Sequence, residues 1–167
     1  MKPIFVFDTH MDSKVYSLFL AHSIQRRAVL KGAKLLFIGD CTFGYPTVER
    51  TNNPKDKVYG LLVQFYKKEE FEHFENAIIH TRSNWKCSKK KVIVRDDQGN
   101  DVDGYIYILR PYTKDRGTRH GRLEVPLKEC FESMLRAYKA KNFPVKYLYK
   151  ALTEAIKDYY EIDSLAN

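Results

Sequence analysis

The order of residue patterns predicts an α+β fold: a small mixed β-barrel of about six strands with flanking helices and a C-terminal helical pair. Three observations carry that expectation. Apolar, β-branched and aromatic runs separated by turn residues dominate residues 1–110. From Val125 the apolar residues recur every three or four positions, which marks one face of a helix. Asn142-Phe143-Pro144 then divides that helical stretch in two, because proline resists a helix interior and disfavours helix at the residue before it.

Taken in order, residues 3–7 form an apolar opening run, and Ser13 can cap a helix over 13–21 with Val15, Leu18 and Phe19 at helical spacing. Strands are expected at 28–39, 57–66, 90–96 and 103–110. The stretch 96–101 between the last two contains Gly99 and suits a hairpin turn, since glycine supplies the positive φ such turns need. Residues 67–77 are more helical. The C-terminal helices, within 124–162, are led by Leu127, Cys130, Phe131, Met134, Leu135 and Tyr138, then by Val145, Leu148, Tyr149, Leu152, Ile156 and Tyr159. With 167 residues and no repeat or low-complexity linker, a single domain over 1–167 is expected.

Composition narrows the function classes. Hydrophobic residues make up 44% and charged residues 30%, an ordinary globular balance. No run approaches the ~20 apolar residues of a membrane span, and the apolar stretch before Asp8 is too short for a signal peptide. Cys41, Cys87 and Cys130 are odd in number and widely spaced, which fits reduced thiols in a cytoplasmic protein and gives no zinc pattern. No metal or organic cofactor is expected. The net charge of +8 favours acidic partners, protein or nucleic acid. Its basic residues gather at Lys86, Lys89, Lys90, Lys91 and Arg95, and at Arg110, Lys114, Arg116, Arg119 and Arg122. No RRM or helix-turn-helix pattern accompanies them.

The polar tip Asp8-Thr9-His10 after the first apolar run, with Gly39-Asp40 ending a later one, resembles the opening of the calcineurin-like metallophosphoesterases. Those enzymes use such carboxylates and imidazoles to hold two metals. The rest of that pattern is absent: no G-N-H-[DE] and no G-H-x-H follow, and His120-Gly121 is a faint echo.

A longer series of features covers most of the chain. After the first strand comes Phe7-Asp8-Thr9-His10-Met11. Ala28-Val29-Leu30-Lys31-Gly32-Ala33-Lys34-Leu35 follows, then Gly44-Tyr45-Pro46 and Val58-Tyr59-Gly60-Leu61-Leu62. Phe71-Glu72-His73-Phe74-Glu75-Asn76 stands next, and the tail runs from Pro126-Leu127 to Phe143-Pro144 and Tyr147. In this order the features resemble the gamma-glutamylcyclotransferase family in the broad sense that includes AIG2-like proteins. The resemblance implies a small-molecule γ-glutamyl substrate, or another ligand of the same pocket, and release of 5-oxoproline without a cofactor. It implies Glu75 as general acid and base. Phe7, Asp8, Thr9, His10 and Met11 would be the substrate-binding loop, whose backbone N–H groups hold the substrate's charged atoms. Trp85 would stand in for a downstream tyrosine of the binding site. At helical spacing Glu75 falls near Phe71 and Phe74, close to an apolar face, where burial would raise its pKa.

The loop departs from the family pattern. Phe7 stands where tyrosine is usual, Asp8 where glycine is usual, and His10 in place of asparagine or leucine; Asn76 replaces the glycine after the glutamate. A carboxylate at position 8 beside a substrate carboxylate would repel it by roughly 4 kcal/mol at ~4 Å and an effective dielectric near 20. An altered substrate with a less anionic head, or a binding role without catalysis, follows as the alternative expectation.

Overall fold

The computed structural model describes residues 1–39, 44–80, 87–109 and 122–163. Five strands close a barrel in the order β1 (Ile4–Val6), β5 (Lys57–Phe65), β2 (Ser23–Lys31), β6 (Cys87–Asp96) and β7 (Asp101–Leu109). Neighbours are antiparallel except where β7 runs parallel to β1 and shuts the barrel. A second sheet joins β4 (Tyr45–Arg50), β3 (Ala33–Gly39) and β8 (Arg122–Leu123) in that order. Four helices complete the chain: α1 (Ser13–Leu20), α2 (Lys68–His80), α3 (Lys128–Ala140) and α4 (Lys146–Asp163). The predicted α+β class with a small mixed barrel and a C-terminal helical pair is the fold observed.

The hairpin forms as the turn residues predict, with Gly99 at φ +86° between β6 and β7. The predicted single strand over 28–39 is instead two strands in different sheets. Gly32, at φ +65°, breaks the run because it can adopt a left-handed backbone where a side chain would strain. Its N–H bonds to Asp56 O at 2.9 Å and its carbonyl receives Thr51 N at 2.8 Å, which pins the bend between the sheets.

The first helix corrects two expectations. Asp12, not Ser13, is the N-cap, its carboxylate accepting Lys14 N at 3.1 Å. Val15 and Leu18 are exposed, Leu18 at 86%. The helix has eight residues and is kinked at Tyr16, and the aromatic pair Tyr16 and Phe19 takes the inner side, packed against the core with Leu20 buried.

The later helices follow the expected period with the face turned slightly. In α3, Met134, Ala137 and Tyr138 are buried while Leu127 is the exposed N-cap. In α4, Leu148, Ala151 and Ala155 are buried, whereas Tyr149 and Ile156 lie at the surface. Small alanines let α4 pack close on β3. Between the two helices, Asn142 takes φ +54°, a conformation asparagine tolerates at a helix end.

One close approach sets the position of the first strand's tip. A Cβ on Gly60 would come within 2.3 Å of Val6 O and 2.8 Å of the Phe5 ring. Glycine at this point of β5 therefore lets β1 lie tightly in the barrel just before the loop at residues 7–11.

Candidate active site

Helix α2 carries Glu69 and Glu70 in its first turn, where carboxylates complement the positive end of the helix dipole. Phe71, Phe74 and Ile78 recur at three- and four-residue spacing and are buried. Glu75, one residue beyond Phe74, therefore sits at the edge of the buried face, with a side chain 21% exposed.

Beneath that edge, β6 and β7 pair with Lys89 opposite Tyr107 and Lys91 opposite Tyr105. Side chains alternate along a strand, so Lys89, Tyr105 and Tyr107 share one sheet face. The Tyr107 phenol donates a hydrogen bond to Glu75 Oε1, and Lys89 Nζ donates to the same oxygen at 2.7 Å. Among the described residues, Glu75 Oε2 receives no hydrogen bond. The Lys89 ammonium also lies 4.3 Å from the centroid of Tyr105, 5.2 Å from that of Phe71 and 5.7 Å from that of Tyr107, within reach of each ring's negative face.

These contacts reverse one expectation. Burial does push the Glu75 carboxyl upward, but the hydrogen bonds from Lys89 and Tyr107, with the Lys89 charge, outweigh it and hold its pKa below the ordinary value. Burial, and then the hydrogen bond to Glu75, push the Tyr107 phenol far above its ordinary pKa, so it remains a donor.

The loop after β1 is built around its own side chains. Asp8 caps a 3-10 turn at Thr9–Met11, with Oδ1 accepting His10 N at 3.1 Å and lying 2.8 Å from His10 Nδ1. The Met11 and Asp12 amides bond to the Asp8 and Thr9 carbonyls, each at 3.0 Å. Phe7, Asp8, His10 and Met11 are all buried, and Thr9 is partly so. The His10 ring is covered by Tyr16 at 4.5 Å and edged by Phe74 at 6.3 Å. Asp12 fastens the loop to α3, accepting from Ser133 Oγ at 2.8 Å and from Arg136 at 2.8 and 3.2 Å.

Glu75 and the loop are linked through Tyr107. A cavity of about 10 Å³ is lined by Phe5, Val6, Phe7, Asp8, Ile78 and Tyr107, room for roughly one water. Glu75 does not itself line it, but the phenol that holds its carboxylate does. A roomier cavity of about 300 Å³ lies between α1 and α2, bordered by Leu18, Phe19, His22, Glu69, Glu70 and His73. It contains none of the residues expected to act on substrate.

Trp85 and Asp40 lie outside the described residues, as do Lys86, His120, Gly121 and the basic loop residues Arg110, Lys114, Arg116 and Arg119. The described members of the first basic cluster, Lys89, Lys90, Lys91 and Arg95, are all exposed. Within that face Lys89 is engaged by Glu75, and Arg95 makes two bonds to Asp101 at 2.9 and 3.2 Å. Asp8 and His10 do adjoin, but they bond to each other under aromatic cover, a sealed pair rather than an open coordination site. No group of three or more potential ligands suited to a metal occurs among the described residues.

Sequence reasoning passed over Tyr107, Tyr105 and Lys89 as site residues. The signal lay in Gly104-Tyr105-Ile106-Tyr107, where two tyrosines alternate on one strand face. Which element that face meets depends on the register of β6 and on α2 crossing above it.

No protein-family model and no curated protein sequence matches the chain. Solved structures do. A gamma-glutamyl cyclotransferase aligns with a TM-score of 0.69 at 15% identity, over 90% of this chain and 85% of the other. An uncharacterized protein from Homo sapiens gives 0.67 at 16%, over 90% and 85%. A gamma-glutamyl cyclotransferase specific to glutathione, from yeast, gives 0.61 at 10%, over 94% and 96%. The architecture is therefore that of the gamma-glutamyl cyclotransferases.

Proposed function

We propose that this chain, with the fold of the gamma-glutamyl cyclotransferases, is an enzyme of that type, closing a γ-glutamyl amine or peptide to 5-oxoproline with Glu75 as proton acceptor and donor. The observation that supports this reading is the Glu75 carboxylate held through Oε1 by Tyr107, whose side chain also lines the small cavity at the tip of β1. The other carboxylate oxygen is not engaged by any described residue.

The chemistry needs no group from outside the two molecules. The substrate's α-ammonium cannot attack while protonated, so Glu75 takes one of its protons. The freed lone pair attacks the γ-carbonyl carbon and forms the ring C–N bond. The tetrahedral oxyanion collapses and the bond to the leaving nitrogen breaks as the proton held by Glu75 passes to that nitrogen. The ring nitrogen then gives its second proton to the freed carboxylate, which hands it to the departing amine and leaves a neutral lactam and an ammonium. The products are 5-oxoproline and an amine, with no water consumed. A carboxylate with a low pKa is a weak base, and removal of the Lys89 contact during turnover would raise it toward the useful range.

The loop favours a particular substrate head. The amides of His10, Met11 and Asp12 are occupied by Asp8 Oδ1, Asp8 O and Thr9 O, so these donors are not presented to a substrate carboxylate. Asp8 also brings a carboxylate into the loop itself. A γ-glutamyl compound whose α-carboxylate is blocked as an amide fits this loop better than one with a free carboxylate. A binding role without catalysis draws on the same self-satisfied loop and is the second reading.

Mass-spectrometric detection of 5-oxoproline from a panel of γ-glutamyl amines and peptides, each with free and amidated α-carboxyl, tests the proposal. Release from at least one compound, faster for amidated heads, is expected. No release across the panel leaves the binding reading.

A further inference from the structure

We propose that Lys89 is an internal stand-in for the substrate's ammonium: its side chain fills an alkylammonium site made by Glu75, Phe71, Tyr105 and Tyr107, and substrate enters by displacing it. This inference deepens the reading of Glu75 as the base and rests on it only for its kinetic consequence.

The geometry is that of a cation-recognition site already occupied. One carboxylate oxygen meets Lys89 Nζ at 2.7 Å, and three aromatic rings have centroids 4.3 to 5.7 Å away. A carboxylate combined with aromatic faces is how proteins hold ammonium groups. The atom to be deprotonated in the proposed reaction is also an ammonium nitrogen, and it has to reach the same carboxylate. Two cations cannot share that oxygen and those rings, so one must yield.

Lys89 is able to yield. Its side chain is 39% exposed, and its backbone is fixed in the β6–β7 ladder opposite Tyr107, so the ammonium can swing to water with no change in the sheet. Ion pairs with this much solvent contact are held weakly. The adjoining cavity has room for roughly one water, so substrate needs space that the departing lysine stem supplies. Loss of the Lys89 charge also removes one of the causes that hold the Glu75 pKa down, which makes the carboxylate a better base at the moment it is needed.

Two experiments on the full chain test this. Ethylammonium chloride is titrated into wild type, Lys89→Met and the Lys89→Met/Glu75→Gln double variant, following tyrosine ring protons by NMR. Saturable shifts are expected in Lys89→Met alone, with binding at least about tenfold weaker in the other two. Equal responses in wild type and Lys89→Met, or none in either, overturn the proposal. Lys89→Gln replaces Lys89→Met if the methionine variant does not give the wild-type circular dichroism spectrum. With any γ-glutamyl compound that is turned over, Lys89→Met should raise kcat/KM about tenfold through a lower KM; an unchanged or higher KM overturns it. If no compound is turned over, the catalytic reading fails, yet the ethylammonium titration still decides the role of Lys89.

Discussion

Tyr107 on β7 donates its phenolic hydrogen to Glu75 on α2, and the same tyrosine lines the cavity against Phe7 and Asp8 at the end of β1. One side chain thus joins the carboxylate to the loop. Tyr107→Phe keeps the ring and deletes the hydroxyl. The folded protein should lose about 1.5 to 3 kcal/mol, the scale of a hydrogen bond to a charged group, and the Glu75 pKa should rise. Urea denaturation and a carbon-13 titration of the Glu75 carboxyl measure the two effects.

Asp8 is the residue that most separates this loop from the family pattern. Asp8→Gly would free the His10 amide and remove the charge, while costing only about a few tenths of a kcal/mol for the turn cap and about 1 kcal/mol for the lost bond to the His10 ring. Affinity for γ-glutamyl compounds with a free α-carboxylate should then rise relative to amidated ones. Calorimetric titration of both ligand types into wild type and variant measures the change in preference.

Asp12 joins α1 to α3 by capping one helix and accepting from Ser133 and Arg136 of the other. Asp12→Ala should cost about 2 kcal/mol: roughly 1 for the cap and 1 for the remaining hydrogen bonds. Arg136, with a side chain 45% exposed, regains water, which limits the loss. The midpoint of urea unfolding should fall with an unchanged slope.

Acid should weaken the fold through two of these carboxyls. At Glu75 burial is outweighed by Lys89 and Tyr107, and at Asp12 burial is outweighed by Ser133, the Lys14 amide and Arg136, so both titrate below their ordinary values of 4.5 and 3.8. As pH falls, the unfolded chain binds protons at these groups before the folded one does. The stability they supply is complete above their ordinary values and drains away as pH drops through them toward the lower folded values. Thermal midpoints should be level above about pH 5 and decline below about pH 4. Lys89→Met should shallow the decline.

Much of this was legible in the chain. The barrel hairpin followed from Gly99 and alternating residues on either side of it, and the paired C-terminal helices from the change of period and Pro144. Glu75 could be placed beside the buried face because Phe71 and Phe74 fix the helix phase. The break at Gly32 was hidden, since two strands of similar composition abut with one glycine between them. The exposed Leu18 was hidden too: an eight-residue helix has room for one buried side, and Tyr16 and Phe19 took it. The Lys89 site was least legible, because a lysine in a basic run looks solvated until the strand register brings it opposite Tyr107 and beneath Glu75. Long-range pairing, rather than local pattern, creates that site.

The central claim is that the Glu75 carboxylate carries the proton, and the direct measurement is 5-oxoproline formation by wild type and by Glu75→Gln at equal concentration of folded protein. Glutamine keeps the shape and cannot accept the proton, so the variant should be slower by about 10²- to 10⁴-fold. Turnover by Glu75→Gln at the wild-type rate would contradict the account.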